Sequence, residues 1–145
     1  MDTPPPPLPV TDTSIVDQEH LRLLTIFHYV LAGVTALFAC FPIFHIALGL
    51  FFILAPEDMM KDANNEGPPS WFGWIFVGIG SLFVILGWTM ALLTFLSGRY
   101  MAQRKKWLFT MVIAGIQCAF IPFGTVLGIF TLIVLQKDSV RRLYQ

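Results

Sequence analysis

The fold is decided by residues 71–98, which read WFGWIFVGIGSLFVILGWTMALLTFLSG. No Asp, Glu, Lys or Arg interrupts this run, and the charge-free stretch around it extends over 67–98. Two other stretches, 23–56 and 107–136, are equally free of charge. A helix needs about 20 apolar residues to cross the hydrocarbon core of a bilayer, and each of the three stretches is clearly longer than that. The sequence therefore predicts an all-α integral membrane protein with three long apolar segments.

The composition of the whole chain supports this prediction. Of its 145 residues, 56% are hydrophobic and 12% are charged, against the roughly 25% charged residues of an ordinary soluble domain. The formal net charge is zero, which leaves no overall attraction for nucleic acid. We expect the lipid bilayer to be the main partner of this chain, and we expect no nucleic-acid binding.

The chain divides into a tail and one helical domain. Five of the first nine residues are proline, and a proline run favours the extended polyproline II conformation, which has no internal hydrogen bonds. We predict a disordered Pro-rich tail over residues 1–19 and a single transmembrane helical domain over 20–145. The predicted apolar segments cover about 21–55, 70–98 and 107–136.

Two prolines interrupt the apolar segments. Pro42 lies within the first segment and Pro122 within the third. Proline removes one backbone hydrogen bond and clashes with the preceding turn of a helix. The sequence therefore predicts a kink or a turn at each of these positions.

The polar connections predict the orientation in the membrane. The loop at 56–70 has a formal charge of −3, whereas the connector at 99–106 has a formal charge of +4. Short basic loops remain in the cytoplasm, so we expect the connector to be cytoplasmic and the loop to be outside. At that boundary, basic side chains attract anionic lipid head groups. The basic residues of the connector are Arg99, Arg104, Lys105 and Lys106.

Length and charge lead to different numbers of crossings. The three segments have similar lengths, which suggests three comparable helices. Three crossings would divide the Lys and Arg residues five against four, whereas a turn back at Pro122 would divide them eight against one. The positive-inside rule favours the second arrangement, with four crossings. Its last two arms would each cover only about 24–26 Å, and both alternatives remain open.

Two histidines in the first segment are candidate ligands. His28 and His45 could bind haem or a quinone, but their positions in the sequence place them about 25 Å apart along one helix, too far for one haem. In the other interpretation, His45 bonds a carbonyl group freed at the Pro42 kink, or Gln117 or Thr125, because an unpaired polar group in hydrocarbon is costly. We predict no bound cofactor and no metal site.

Small and polar residues indicate where helices pack. Gly80 and Gly87 give the second segment a surface that another helix can approach closely. Gly124 and Gly128 form a GxxxG pattern, which either contacts a second helix or serves the turn after Pro122 and packing within the same chain. Two intramembrane polar residues have predicted roles, a bond between helices for Gln117 and the cap of the second arm for Thr125.

The C-terminal third also resembles a known group of proteins. Residues 122–128 read Pro-Phe-Gly-Thr-Val-Leu-Gly and follow the basic connector, while residues 21–29 read Leu-Arg-Leu-Leu-Thr-Ile-Phe-His-Tyr. This arrangement resembles a family of small bacterial multi-span inner-membrane proteins that end in a Pro-x-Gly-Thr-x-Leu-Gly segment. The resemblance covers about residues 20–144. It implies a location in the bacterial inner membrane and carries over no activity and no site.

The sequence contains no motif of a known catalytic class. It has no HExxH, no GxSxG, no phosphate-binding Gly-rich loop and no metal-type Cys/His cluster. We expect a non-enzymatic accessory, scaffold or assembly subunit that acts through helix packing with other membrane-protein subunits or with its own copies. One alternative is an oligomeric small transporter or channel lined by His45 and Gln117. Another is a haem- or quinone-binding redox subunit that uses His28 and His45.

Overall fold

The computed structural model describes residues 13–55 and 69–144. The first twelve residues of the predicted tail and most of the predicted outer loop lie outside the described residues. Within the described part, all regular secondary structure is helical, which confirms the all-α prediction. The helices are α1 (Thr13–Cys40), α2 (Ile43–Leu54), α3 (Ser70–Ala102), α4 (Trp107–Gln117), α5 (Phe123–Leu135) and α6 (Asp138–Arg142).

Two of the helical segments are long and apolar enough to cross a membrane. They are Ile15–Leu54, which contains the α1–α2 break, and Trp71–Ala102. In each segment, only 11% of the most apolar stretch of 18 residues is buried within the protein. The core helix of a soluble protein, in contrast, is mostly buried. Large apolar side chains such as Leu37, which is 74% exposed, cover the outside of these helices. Both segments are therefore compatible with a membrane location.

The first segment is broken at Pro42, as the sequence predicts. α1 ends at Cys40 and α2 begins at Ile43. Pro42 has no N–H group to donate, and its carbonyl oxygen accepts the backbone N–H groups of His45 at 3.0 Å and Ile46 at 3.2 Å. The backbone groups around the break are thus paired within the same chain, as a water-free environment requires.

The third segment turns back on itself at Pro122. α4 and α5 pack antiparallel, because the indole N–H of Trp107 at the start of α4 donates to the carbonyl oxygen of Leu135 at the end of α5, at 2.9 Å. Their 11 and 13 residues correspond to lengths of about 16 and 20 Å. The third segment is therefore a helical hairpin and not one kinked helix.

Contacts divide the chain into two compact units. We call the first the hairpin unit; it comprises Met1–Leu31 and Thr94–Gln145 and includes α4, α5 and α6. We call the second the pair unit; it comprises Ala32–Leu93 and includes α2. The long helices α1 and α3 each contribute one part to both units.

Glycines hold the two helical segments of the pair unit close together. Gly73, Gly80 and Gly87 follow one another at seven-residue spacing on α3, and this spacing keeps residues on one face of a left-handed helix pair. A Cβ atom added to Gly73 would lie 2.8 Å from the carbonyl oxygen of Gly49, and one added to Gly87 would lie 2.6 Å from Cβ of Ala39. The two segments therefore pack antiparallel, with backbone against backbone.

The hairpin unit has an apolar core at the end where the first turns of α1 meet α6. α1 begins at Thr13, so residues 13–19, which the sequence assigns to the tail, are helical. Asp17 anchors this early turn, because it accepts hydrogen bonds from the Ser139 hydroxyl group and from the Lys137 amine, the latter at 3.1 Å. The core next to it consists of Leu21, Leu24, Met101, Val134, Leu135 and Val140.

Substituting two glycines of α3 tests the close packing. We expect Gly73→Ala to lower the melting temperature in mild detergent, because its Cβ would meet the backbone of Gly49; overpacking of this kind costs about 1–3 kcal/mol. Gly78→Ala is the matched control, because a Cβ at Gly78 has no atom within 4 Å and alanine favours a helix by up to about 1 kcal/mol over glycine. An equal fall in the melting temperature of both variants would contradict the close packing of Gly73 against Gly49.

Candidate functional site

The hairpin unit contains a set of buried polar side chains, which we call the buried polar set. Four helices contribute to it, namely α1, α3, α4 and α5. Polar side chains at helical spacing share one face of a helix. On these four helices that face is buried. The members of the set are Thr25, His28, Thr94, Ser97, Thr110, Gln117 and Thr131.

Gln117 links α4 to α3. Its Nε2 donates a hydrogen bond to Oγ1 of Thr94 at 3.1 Å, and Gln117 is only 2% exposed. The role that the sequence suggests for Gln117, a bond between helices, is therefore present in the structure. In hydrocarbon, such a bond is worth about 0.6–2 kcal/mol.

His28 is the one ionisable side chain of the buried polar set, and it is fully buried, with 0% exposure. Gly98 makes room for it, because a Cβ at Gly98 would lie 3.0 Å from Cβ of His28. Nδ1 of His28 lies 2.9 Å from the carbonyl oxygen of Leu24, so Nδ1 carries the proton and donates it. Nε2 is left as an acceptor without a partner among the described residues.

His45 lies in the other unit and has an aromatic environment. Its ring stacks on Phe76, with a centroid distance of 6.3 Å and an interplanar angle of 17°, and its Nδ1 has no partner within the described part of the chain. The side-chain partners expected for His45 are engaged elsewhere: Gln117 with Thr94, and Thr125 with Cys118. Because His28 and His45 belong to different units, neither unit contains both candidate ligands.

Three hydroxyl groups of the buried polar set also lack partners among the described residues. They belong to Ser97, Thr110 and Thr131. Burying a hydroxyl group without a partner costs about 1–3 kcal/mol. Nε2 of His28 carries a cost of the same kind. Within residues 13–55 and 69–144, no group of three His, Cys, Asp or Glu side chains could hold a metal ion.

The turn between α4 and α5 uses the glycines of the GxxxG pattern. A Cβ at Gly124 would lie 2.6 Å from the carbonyl oxygen of Gln117, and one at Gly128 would lie 2.5 Å from that of Ala114. The hydroxyl group of Thr125 donates to the carbonyl oxygen of Cys118 at 2.8 Å. Of the two interpretations of Gly124 and Gly128, the structure shows packing within the chain. Thr125 closes the turn instead of capping its own helix.

The basic connector adopts an unusual backbone conformation. Arg104 and Lys106 both lie in the left-handed region, with φ of 53° and 51°. The Lys106 amine lies 4.8 Å above the ring of Tyr100 and donates to its hydroxyl group at 3.4 Å. Arg99 and Lys105 are exposed, as are Arg104 and Lys106.

Some residues of this unit carry a signal that the sequence reasoning did not use. Thr94, Ser97 and Met101 are spaced by three and four residues, so they mark one face of α3. Asp17 and its partners are separated by 120 and 122 residues, and no local pattern connects them.

Comparison of this chain with protein-family models, with curated proteins and with solved structures finds no match. The resemblance to small bacterial multi-span proteins stays a prediction from the sequence. The interpretation of the site therefore depends on the contacts described above and on general physical chemistry.

Two substitutions separate the paired from the unpaired members of the buried polar set. We expect Gln117→Leu to lower the melting temperature in detergent, because it leaves the Thr94 hydroxyl group buried without its donor; the loss is about 1 kcal/mol. The control Thr131→Val removes a hydroxyl group without a partner at nearly constant shape, so we expect an unchanged or higher melting temperature. A clear loss for Thr131→Val would show that this hydroxyl group has a bound partner.

Proposed function

We propose that this protein is a non-enzymatic integral protein of the bacterial inner membrane, an accessory or scaffold subunit that packs its helices against those of other membrane proteins. The packing role depends mainly on three glycines, each of which lies in an apolar helix. No other part of the described chain packs against these three glycines.

The hairpin unit supports one orientation in the membrane. The bonds from Lys137 and Ser139 to Asp17 bring the start of α1 to the C-terminal tail, and the bond from Trp107 to Leu135 brings the connector to the same end. Eight of the nine Lys and Arg residues belong to these three parts of the chain, and the ninth is Lys61. The positive-inside rule then assigns this end to the cytoplasm and the acidic loop to the outside.

The lengths of the helices support two full crossings and one hairpin that enters and leaves on the cytoplasmic side. α3, with 33 residues, extends over about 50 Å and exceeds the roughly 30 Å of the hydrocarbon core. α4 and α5 reach only about 16 and 20 Å. This arrangement keeps the eight-to-one charge distribution of the four-crossing prediction, and it does not require the short arms to span the bilayer.

The glycines support a packing role. Gly33, Gly78 and Gly115 lie in helices, are exposed, and have no atom within 4 Å of an added Cβ. The other helical glycines that the structure describes all make close contacts within the chain. Glycine within a helix costs up to about 1 kcal/mol relative to alanine, and its benefit in lipid is the close approach of another helix. The three open glycines therefore favour contact with a helix from another molecule.

The same contacts give less support to an oligomeric channel. Gln117, which would line the pore, is 2% exposed and bonded to Thr94. His45, the other predicted lining residue, is partly buried against Phe76. A pore formed by several copies needs polar side chains on the outer surface of each copy, where these helices present large apolar side chains.

Cross-linking in membranes tests the packing role. We expect the unmodified chain to form discrete cross-linked products with other membrane proteins or its own copies, and we expect Gly33→Leu and Gly78→Leu to lose them at least fivefold while keeping the melting temperature within a few degrees. The control Phe38→Trp adds bulk at an exposed position about 140° around α1 from Gly33. A chain that stays monomeric after cross-linking and purifies without partners would contradict the proposed role.

A further inference from the structure

An open groove of about 660 Å³ lies at the end of the hairpin unit that we assign to the cytoplasm, between the connector and the C-terminal tail. Three of its six lining residues are basic, and none is acidic. Its size is within the range of small-molecule sites, and its charge attracts anions. The lining residues are Gln103, Arg104, Lys105, Lys106, Leu143 and Tyr144.

The backbone of the connector forms one wall of the groove. Arg104 and Lys106 hold left-handed conformations, which cost a residue other than glycine about 1–2 kcal/mol each. This tight turn places three consecutive basic residues along the groove. α4 begins directly after it at Trp107, without a side-chain cap, so the positive end of the helix dipole adds to the same potential.

Two of the basic groups are free to bind an anion. The Lys106 amine is engaged with Tyr100. Arg104 and Lys105 take part in no ion pair among the described residues. The ion pair between Lys137 and Asp17 lies outside the groove. Both residues line the groove, and guanidinium and ammonium groups both bind the oxygens of a phosphate group.

Tyr144 also lines the groove, and it stays uncharged. Burial raises the pKa of Tyr144 to about 12, although the charge of Arg104 nearby opposes the shift. The phenol group therefore keeps its proton at physiological pH and adds no negative charge that would oppose an anion.

The geometry points to a binding site for the phosphate group of an anionic phospholipid, held by Arg104 and Lys105 in a groove whose lining contains no acidic side chain. The inference depends on the membrane placement proposed above but not on the packing role. A lipid is favoured over free phosphate because the groove lies at the end of the charge-free stretch 107–136 and has an apolar wall at Leu143. Trp107, with Arg141 at 5.1 Å from its ring, also suits the level of the head groups.

Native mass spectrometry of the detergent-solubilised full chain tests the site, with phosphatidylglycerol, phosphatidylcholine and inorganic phosphate as separate probes. We expect preferential binding of phosphatidylglycerol. Arg104→Gln with Lys105→Gln should weaken it at least tenfold, since each basic residue contributes about 1 kcal/mol. The charge-matched control, Arg99→Gln with Arg142→Gln, removes two basic residues outside the groove and should change binding by less than twofold.

Three results would overturn the inference. Equal losses in the two double variants would show diffuse attraction by charge, and equal binding of phosphatidylcholine would show that the anionic head group is not recognised. Competition by inorganic phosphate at equal concentration would identify a free-phosphate site. Melting temperatures identify any variant that has lost its fold, and the comparison of phosphatidylglycerol with phosphatidylcholine on the unmodified chain keeps the test valid in that case. Flotation of the chain with vesicles tests the membrane placement separately.

Discussion

The structure depends on one constraint: where no water is present, every backbone N–H and C=O group needs a partner within the protein. The three long charge-free stretches, 23–56, 67–98 and 107–136, meet this constraint by forming helices. Where Pro42 removes a donor, its own carbonyl oxygen accepts two N–H groups from the next turn. The large apolar side chains exposed on the long helices are suited to contact with lipid.

The same constraint explains why glycine sets the packing. Lipid is as apolar as leucine, so burying large apolar side chains between helices gains little, and close backbone contact gains more. The pair unit uses Gly49 and Gly73 for this contact, and the hairpin unit uses Gly124 and Gly128. The buried polar set adds hydrogen bonds such as the one between Gln117 and Thr94. Together these contacts determine which helices pack against each other. The hydrophobic pattern of the sequence alone does not determine this.

Much of the fold could be predicted from the sequence, because a long stretch without charge and a proline within it both act locally. The helical segments and the break at Pro42 follow directly. The reversal at Pro122 could not be decided, since a kinked helix and a hairpin share the same local sequence, and the choice depends on contacts of Gly124 and Gly128 with carbonyl groups of α4. The bond between Lys137 and Asp17 joins the two ends of the chain and has no local signal. For His28, the sequence indicated a polar group in an apolar helix, but not the space that Gly98 provides.

The most direct test of the membrane placement is labelling of single cysteines with a thiol reagent that cannot cross membranes, in intact cells with Cys40 and Cys118 replaced by alanine. We expect Asn64→Cys to be labelled from outside and Asp138→Cys to be labelled only after the cells are permeabilised. Labelling of Asp138→Cys in intact cells would show that the third segment crosses the bilayer once, as in the three-crossing alternative. Failure of the chain to remain in the membrane fraction after an alkaline carbonate wash would contradict the placement altogether.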